Sequence, residues 1–268
     1  MFFIIAYLVL LLGGFGCLMY FTGMYSQWYF YFIPLFGIPI GFYILFLLTL
    51  GIIFPFAKAT NIDKEVKKPS RFAAFLVREI DYLLLKVSLT YPSYKSFNKL
   101  SQKKEYMIIY NHISNWDPML IMAKIRRLIC ITKYDNKKAP IAGGMIHRAG
   151  YITIDREHDT EGIKAINKAI EFIDNKKASI CVSPEGTRSK SLELLPFHPG
   201  TFNIAKRTNV PIVCVGIKDT NLIHKNFAKK VTKPTCDVIY IMNPDEYYNL
   251  STVEIANRLH DIYKNYLG

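Results

Sequence analysis

The first 57 residues contain no Asp, Glu, Lys, Arg or His. An uncharged stretch of that length gains little in water but suits lipid, so its absence of charge argues against a soluble hairpin and for a membrane-associated one. All 34 basic and 21 acidic residues therefore lie in residues 58–268, and the net charge of +13 belongs wholly to that part. The five cysteines, Cys17, Cys130, Cys181, Cys214 and Cys236, show neither C-x2-C nor any other metal spacing. No metal site is expected, and reduced thiols in a cytoplasmic domain account for them. There is no G-x-S-x-G run, so no nucleophile elbow presents a serine. No basic n-region or small-residue cleavage site precedes the second apolar run, which argues against a secretory signal. Internal repeats and low-complexity tracts are also missing.

Phe2 to Phe21 is long enough to cross a bilayer as a helix. A second apolar run, Tyr29 to Phe56, is interrupted by Pro34, Gly37, Pro39 and Gly41; it crosses, or dips and returns, or both runs lie shallowly in the membrane. Tyr20, Tyr25, Trp28, Tyr29 and Tyr31 gather where an aromatic belt would sit. Lys58, Lys64, Lys67, Lys68, Arg71 and Arg78 follow directly, and the positive-inside rule puts that flank and the rest of the chain on the cytoplasmic face of a membrane. The expected organisation is a hydrophobic anchoring hairpin (1–57), a basic amphipathic linker helix (58–105) and an α/β domain (106–268).

Within the linker, Phe72, Phe75, Leu76, Ile80, Leu83, Leu84 and Val87 recur at helical spacing over Ser70 to Leu89. This helix either packs on the domain or lies on the bilayer. From residue 106, short apolar runs alternate with amphipathic stretches. Strands are predicted at Tyr106–Tyr110, Leu128–Thr132, Tyr151–Ile154, Ser179–Ser183, Ile212–Ile217 and Val238–Met242, and helices at Pro118–Arg126, Thr160–Asp174, Thr201–Thr208 and Thr252–Leu267. Ser251 with Glu254 forms a capping box for the last helix. The alternation implies a largely parallel sheet flanked by helices, with functional loops at strand ends.

Chemistry concentrates first in Asn111-His112-Ile113-Ser114-Asn115-Trp116-Asp117. A neutral imidazole takes a proton from a hydroxyl during attack on a carbonyl, and a carboxylate on its other nitrogen fixes the tautomer. Residues five apart face different directions on a helix, so His112 and Asp117 meet only if the chain turns between them. Asp117-Pro118 supplies a helix start: an N-cap followed by proline, with His112 in the preceding loop. Alone, the pair reads better as a helix cap and a loop histidine than as a catalytic pair.

Three later segments remove that isolation. They are Gly150-Tyr151-Ile152-Thr153-Ile154-Asp155-Arg156, Ser183-Pro184-Glu185-Gly186-Thr187-Arg188-Ser189 and Val210-Pro211-Ile212-Val213-Cys214-Val215-Gly216. In this order and spacing the four blocks resemble those of the glycerolipid acyltransferases, most closely the lysophosphatidate acyltransferases, over about residues 100 to 220.

The resemblance implies that His112, with Asp117, deprotonates the sn-2 hydroxyl of lysophosphatidic acid, which attacks an acyl thioester directly. Arg188 is the phosphate-holding candidate, since a guanidinium binds two phosphate oxygens and stays charged. Gly186 permits a tight turn with amides facing an anion, Thr187 adds a hydroxyl, and Glu185 orients an arginine or the acceptor. By resemblance Arg156 is a second phosphate or glycerol contact; its plain alternative is a salt bridge with Asp155 or Glu157. Lys133 matches a lysine common between the first two blocks, suited to an oxyanion or phosphate, or else is a surface lysine.

Two departures from the family pattern bear on the acceptor. Ser183 stands where an aromatic or aliphatic residue is common, and Phe197-His198-Pro199-Gly200 replaces a Phe-basic-x-Gly element. The expected function is synthesis of phosphatidic acid from lysophosphatidic acid, with acyl-CoA or acyl carrier protein as donor and no cofactor. The alternatives are another lysolipid acceptor, a thioesterase or lipase using water, and a non-catalytic lipid-binding protein. Nucleic acid is not an expected partner, because no recognition module accompanies the basic charge.

Overall fold

A computed structural model describes residues 2–22, scattered positions from 40 to 58, and residues 60–62, 64–154, 159–175 and 178–268. The chain divides into two compact units, Met1–Asn61 and Ile62–Gly268. In the first, α1 (Phe2–Thr22) is a helix of 21 residues. Among the described residues no helix is long and apolar enough to cross a membrane; in α1 the unbroken stretch of described side chains runs only from Tyr7 to Cys17. Tyr25, Trp28, Tyr29, Tyr31, Pro34, Gly37 and Pro39 lie outside the described residues. Most of the second apolar run read from the sequence thus lies outside the described residues.

The second unit is built on a seven-stranded sheet. Its strands are β1 (Ser93–Lys95), β2 (Met107–Tyr110), β3 (Leu128–Lys133), β4 (Ile152–Ile154), β5 (Ser179–Val182), β6 (Ile212–Lys218) and β7 (Thr235–Met242). They lie in the order β1-β7-β6-β2-β5-β3-β4, with every pairing parallel except β6 with β7. Strands covered on both faces read as unbroken apolar runs, as in Met107-Ile108-Ile109-Tyr110, where every residue is buried. Period-two alternation sends Met107 and Ile109 to one core, with Phe172, Phe202 and Leu259. Ile108 and Tyr110 go to the other, with Leu120, Ile121 and Val213.

The helices are α2 (Arg71–Val87), α3 (Asp117–Met122), α4 (Ala142–Arg148), α5 (Asp159–Asp174), α6 (Asn203–Thr208), α7 (Asn221–Asn226), α8 (Pro244–Tyr247) and α9 (Thr252–Leu267). The α9 capping box is formed: Ser251 accepts from the Glu254 amide, and Glu254 accepts from the Ser251 amide. From the same helix the Tyr263 hydroxyl reaches the carbonyls of Ile109 at 2.7 Å and Val215 at 3.0 Å, bracing the adjacent ends of β2 and β6. Helix α2 packs against α3 and α4 and buries Ala73, Leu76, Val77 and Leu85.

Helix α2 also buries Asp81, one of whose carboxylate oxygens has no hydrogen-bond partner. Burial pushes its pKa up to about 7 from an ordinary value of 3.8. Because the folded state holds this proton more tightly than the unfolded chain, the resulting stabilisation is full below pH 4 and is lost as the pH rises through about 7. A shift of about 3 units corresponds to roughly 4 kcal/mol at most. Asp81→Asn should therefore raise the melting temperature at pH 8, change it little at pH 4, and flatten the slope between. Thermal melts of the two proteins across that range check this, and parallel curves would contradict it.

Candidate functional site

Parallel strands place their carboxyl ends along one edge of the sheet, where ligands of open α/β folds bind. Across that edge the chain presents, in spatial order, Thr220 after β6, His112 after β2, Glu185–Arg188 after β5 and Lys133 at the end of β3. At about 4.8 Å per strand, these loops fall within roughly 15 Å of sheet width. Arg156, with Asp155 and Glu157, follows β4 but lies outside the described residues.

His112 and Asp117 meet. His112 Nδ1 is 2.9 Å from Asp117 Oδ2. The same oxygen accepts the backbone N–H groups of Ile113 at 2.8 Å and Ser114 at 2.7 Å, and the hydroxyl of Thr220 donates to Oδ1. Asp117 is completely buried, and these four donors replace the water it has lost. The expectation that Asp117 caps the helix is corrected. Trp116 holds the cap position, Asp117 is already helical, and its carboxylate turns back to gather the loop that carries His112. Pro118 fits there because its missing N–H falls in the first turn. With Asp117 accepting, Nδ1 donates, and Nε2 is left as the basic nitrogen on a ring that keeps 16% exposure.

The backbone of His112 is held as firmly as its ring. Its N–H donates to Glu185 Oε1 at 2.7 Å, and its carbonyl accepts from the Ser189 N–H at 2.8 Å. The other Glu185 oxygen accepts from Leu195 N–H at 3.0 Å, so what Glu185 orients is main chain. Burial raises the Glu185 carboxyl above its usual range, against the lowering effect of those two amides. One residue before, Asn111 binds Ile217 through both its amide groups, at 2.8 and 2.9 Å, and clamps β2 to β6.

Gly186 adopts φ +69°, which glycine allows without strain, and a Cβ there would come within 2.9 Å of the His198 ring. The His198 N–H donates to the Pro184 carbonyl at 2.8 Å, so the Phe197–Gly200 turn lies over the Pro184–Gly186 turn. Thr187 and Arg188 are exposed beside it, and Arg188 directly precedes the Ser189 amide that is bonded to His112. Lys133 is exposed and forms an ion pair with Asp135. A cavity of about 720 Å³ runs along β4 and α5 and includes neither His112 nor Arg188. Among the described residues, no group of three or more His, Cys, Asp or Glu could hold a metal. Burial pushes the thiols of Cys181, Cys214 and Cys236 up, so they remain protonated.

Thr220 and Asn111 were not singled out from the sequence. Thr220 lies 103 residues from Asp117 and only the sheet order brings them together. The Asn-His dipeptide at the end of an apolar strand was a signal that could have found Asn111.

With this geometry in place, the family model described as Acyltransferase matches residues 93–218. Over those residues the chain is similar to the Acyltransferase family. The 1-acyl-sn-glycerol-3-phosphate acyltransferase of Saccharomyces cerevisiae is 32% identical over 58% of this chain and 52% of its own length. The enzyme of the same name from Haemophilus influenzae is 29% identical over 60% of this chain and 68% of its own. The chain spans about half the length of the yeast and plant relatives it matches. The crystal structure of the 1-acyl-sn-glycerophosphate (LPA) acyltransferase PlsC from Thermotoga maritima superposes with a TM-score of 0.57 at 20% identity. It covers 83% of this chain and 94% of that one, which establishes the α/β fold as shared. The family domain holds every sequence-predicted site residue, from His112 to Arg188; Thr220 lies two residues beyond its matched end.

Proposed function

We infer that this chain transfers an acyl group from an acyl thioester to the sn-2 hydroxyl of lysophosphatidic acid, giving phosphatidic acid. The observation that carries the reading is His112 tied through Nδ1 to buried Asp117 at 2.9 Å, with the arginine-bearing turn hydrogen-bonded to the same residue. The names of the relatives support the acceptor.

In the reaction, Nε2 of His112 takes the proton as the hydroxyl oxygen attacks the thioester carbonyl. The tetrahedral intermediate collapses, breaking the C–S bond, and the departing thiolate receives the proton from the imidazolium. Asp117 stabilises that transient positive charge. No acyl-enzyme forms and no cofactor or metal is needed. Arg188 and Arg156 bind the phosphate, with Gly186 and Thr187 shaping the turn, and Lys133 serves the oxyanion or the phosphate. Acyl-CoA and acyl carrier protein both suit the basic surface as donors.

Residues 1–57 anchor the protein in a membrane, with the domain on the cytoplasmic face. The uncharged sequence supports this, and so do the exposed side chains of Val9, Leu10 and Leu12, which suit lipid better than water. His198 over Gly186, in place of a permanently charged residue, favours a second reading in which another lysolipid is the acceptor.

The acceptor assignment is tested by supplying a panel of lysolipids and identifying products by mass. Arg188→Ala should raise the KM for lysophosphatidate far more than that for the donor. The loss of one charged contact, about 1.5–3 kcal/mol, amounts to roughly 10- to 150-fold. Equal activity on an acceptor without its phosphomonoester would overturn the assignment.

A further inference from the structure

Asn221 to Cys236 contains Lys225, Lys229, Lys230 and Lys233 and no acidic residue. All four lysines are exposed, and none forms an ion pair among the described residues. Exposed Leu222, Phe227 and Val231 are interleaved with them. A second segment joins this surface: the Thr232 N–H donates to the Leu89 carbonyl at 3.1 Å, and the Tyr91 N–H donates to the Thr232 carbonyl at 2.9 Å. That parallel bridge, Thr90 with Thr232, joins the chain after α2, which carries exposed Val87 and Tyr91, to the segment that carries Val231. Leu89 and Ala228 hold positive φ, at 55° and 53°, without being glycine, so both turns are fixed by their surroundings.

The surface sits at the catalytic edge. β7 is antiparallel to β6 and β1 is parallel to β7, so the residues leading into both strands lie where β6 ends. Phe227 packs on Trp116 of the His112 loop, with ring centroids 6.1 Å apart. Thr220, one residue before α7, donates to Asp117.

We propose that Val87–Tyr91 and Leu222–Lys233 form a docking surface for an anionic lipid bilayer. The surface holds the His112 edge at the headgroup layer, where a lipid acceptor resides. Alternation of apolar side chains with unpaired lysines fits an interface that is apolar below and anionic above; an acidic protein would match the lysines but leave exposed Val87, Leu222 and Val231 without a role. The inference rests on the acyltransferase reading only for its purpose, and the following test involves no chemistry.

The full-length chain, with Cys17→Ser and Val231→Cys, is labelled at residue 231 with an environment-sensitive fluorophore and reconstituted into vesicles. The four remaining cysteines are buried. Tyr248, 74% exposed and beyond the opposite end of β7, carries the control label as Tyr248→Cys. In phosphatidylglycerol vesicles, the label at 231 should blue-shift and be quenched several-fold more by headgroup spin-labelled lipid than the label at 248. That contrast should shrink in pure phosphatidylcholine and with Lys229→Glu/Lys230→Glu. Equal quenching at both positions would overturn the proposal. So would protection of residue 231 by an acidic acyl carrier protein in place of lipid. Loss of transferase activity with the lipid contrast intact would count against the chemical reading alone.

Discussion

His112→Ala should lower acyl transfer by about 10²- to 10⁴-fold, the range that a positioned general base contributes, while the fold survives. The expectation of an intact fold follows from where the residue's bonds are. The structural contacts of His112 run through its backbone, to Glu185 and Ser189, and alanine keeps both. Its ring contributes one hydrogen bond to Asp117 and an edge contact with Tyr110. Asp117 retains three other donors after the ring is removed. Circular dichroism and melting temperature should therefore stay near wild type. Near-normal turnover in the folded variant would refute the assignment.

Asp117 should behave in the opposite way, with its two replacements diverging. Asp117→Ala orphans the buried Ser114 N–H and Thr220 hydroxyl, together with the half-buried Ile113 N–H and His112 Nδ1–H. At about 1–3 kcal/mol for each of the two buried donors, before the half-buried pair is counted, the loss is a large fraction of an ordinary domain's stability. This variant should be insoluble or melt far below wild type. Asp117→Asn has a solution that alanine lacks. Its carbonyl can take the place of Oδ2, which three donors face, and its amide can donate to Thr220, whose hydroxyl rotates to accept. The fold and tautomer then persist, but the imidazolium loses its countercharge. Turnover should fall between wild type and His112→Ala. Melting curves and rates for the two variants check this, and a stable, active Asp117→Ala protein would contradict it.

Local rules made part of this site legible in the sequence. His112 and Asp117 stood out because Pro118 demands a turn between them, and the capping box of α9 gave its start correctly. The parallel core strands were visible as apolar runs because both of their faces are buried. Lateral order was not visible. Nothing in Thr235–Met242 announces that β7 runs antiparallel to β6, and that reversal brings Lys229–Lys233 to the sheet edge that carries His112. Strand β1, Ser93-Tyr94-Lys95, has no apolar alternation to mark it. Helix α4 was missed because Gly143 and Gly144, poor helix formers, sit in its first turn. There, Gly143 lies against the backbone carbonyl of Lys137, a close approach that tertiary packing enforces. Thr220 carries no local signal, since a threonine at the start of a short helix usually acts as a cap.

The central claim, direct transfer driven by His112, is tested most directly by following free thiol and lipid product together. Purified protein is given an acyl thioester with and without lysophosphatidate. Direct transfer predicts one thiol released per phosphatidate formed, no release without acceptor, and loss of both signals in folded His112→Ala. Thiol release at the same rate without acceptor, or undiminished product from His112→Ala, would contradict it.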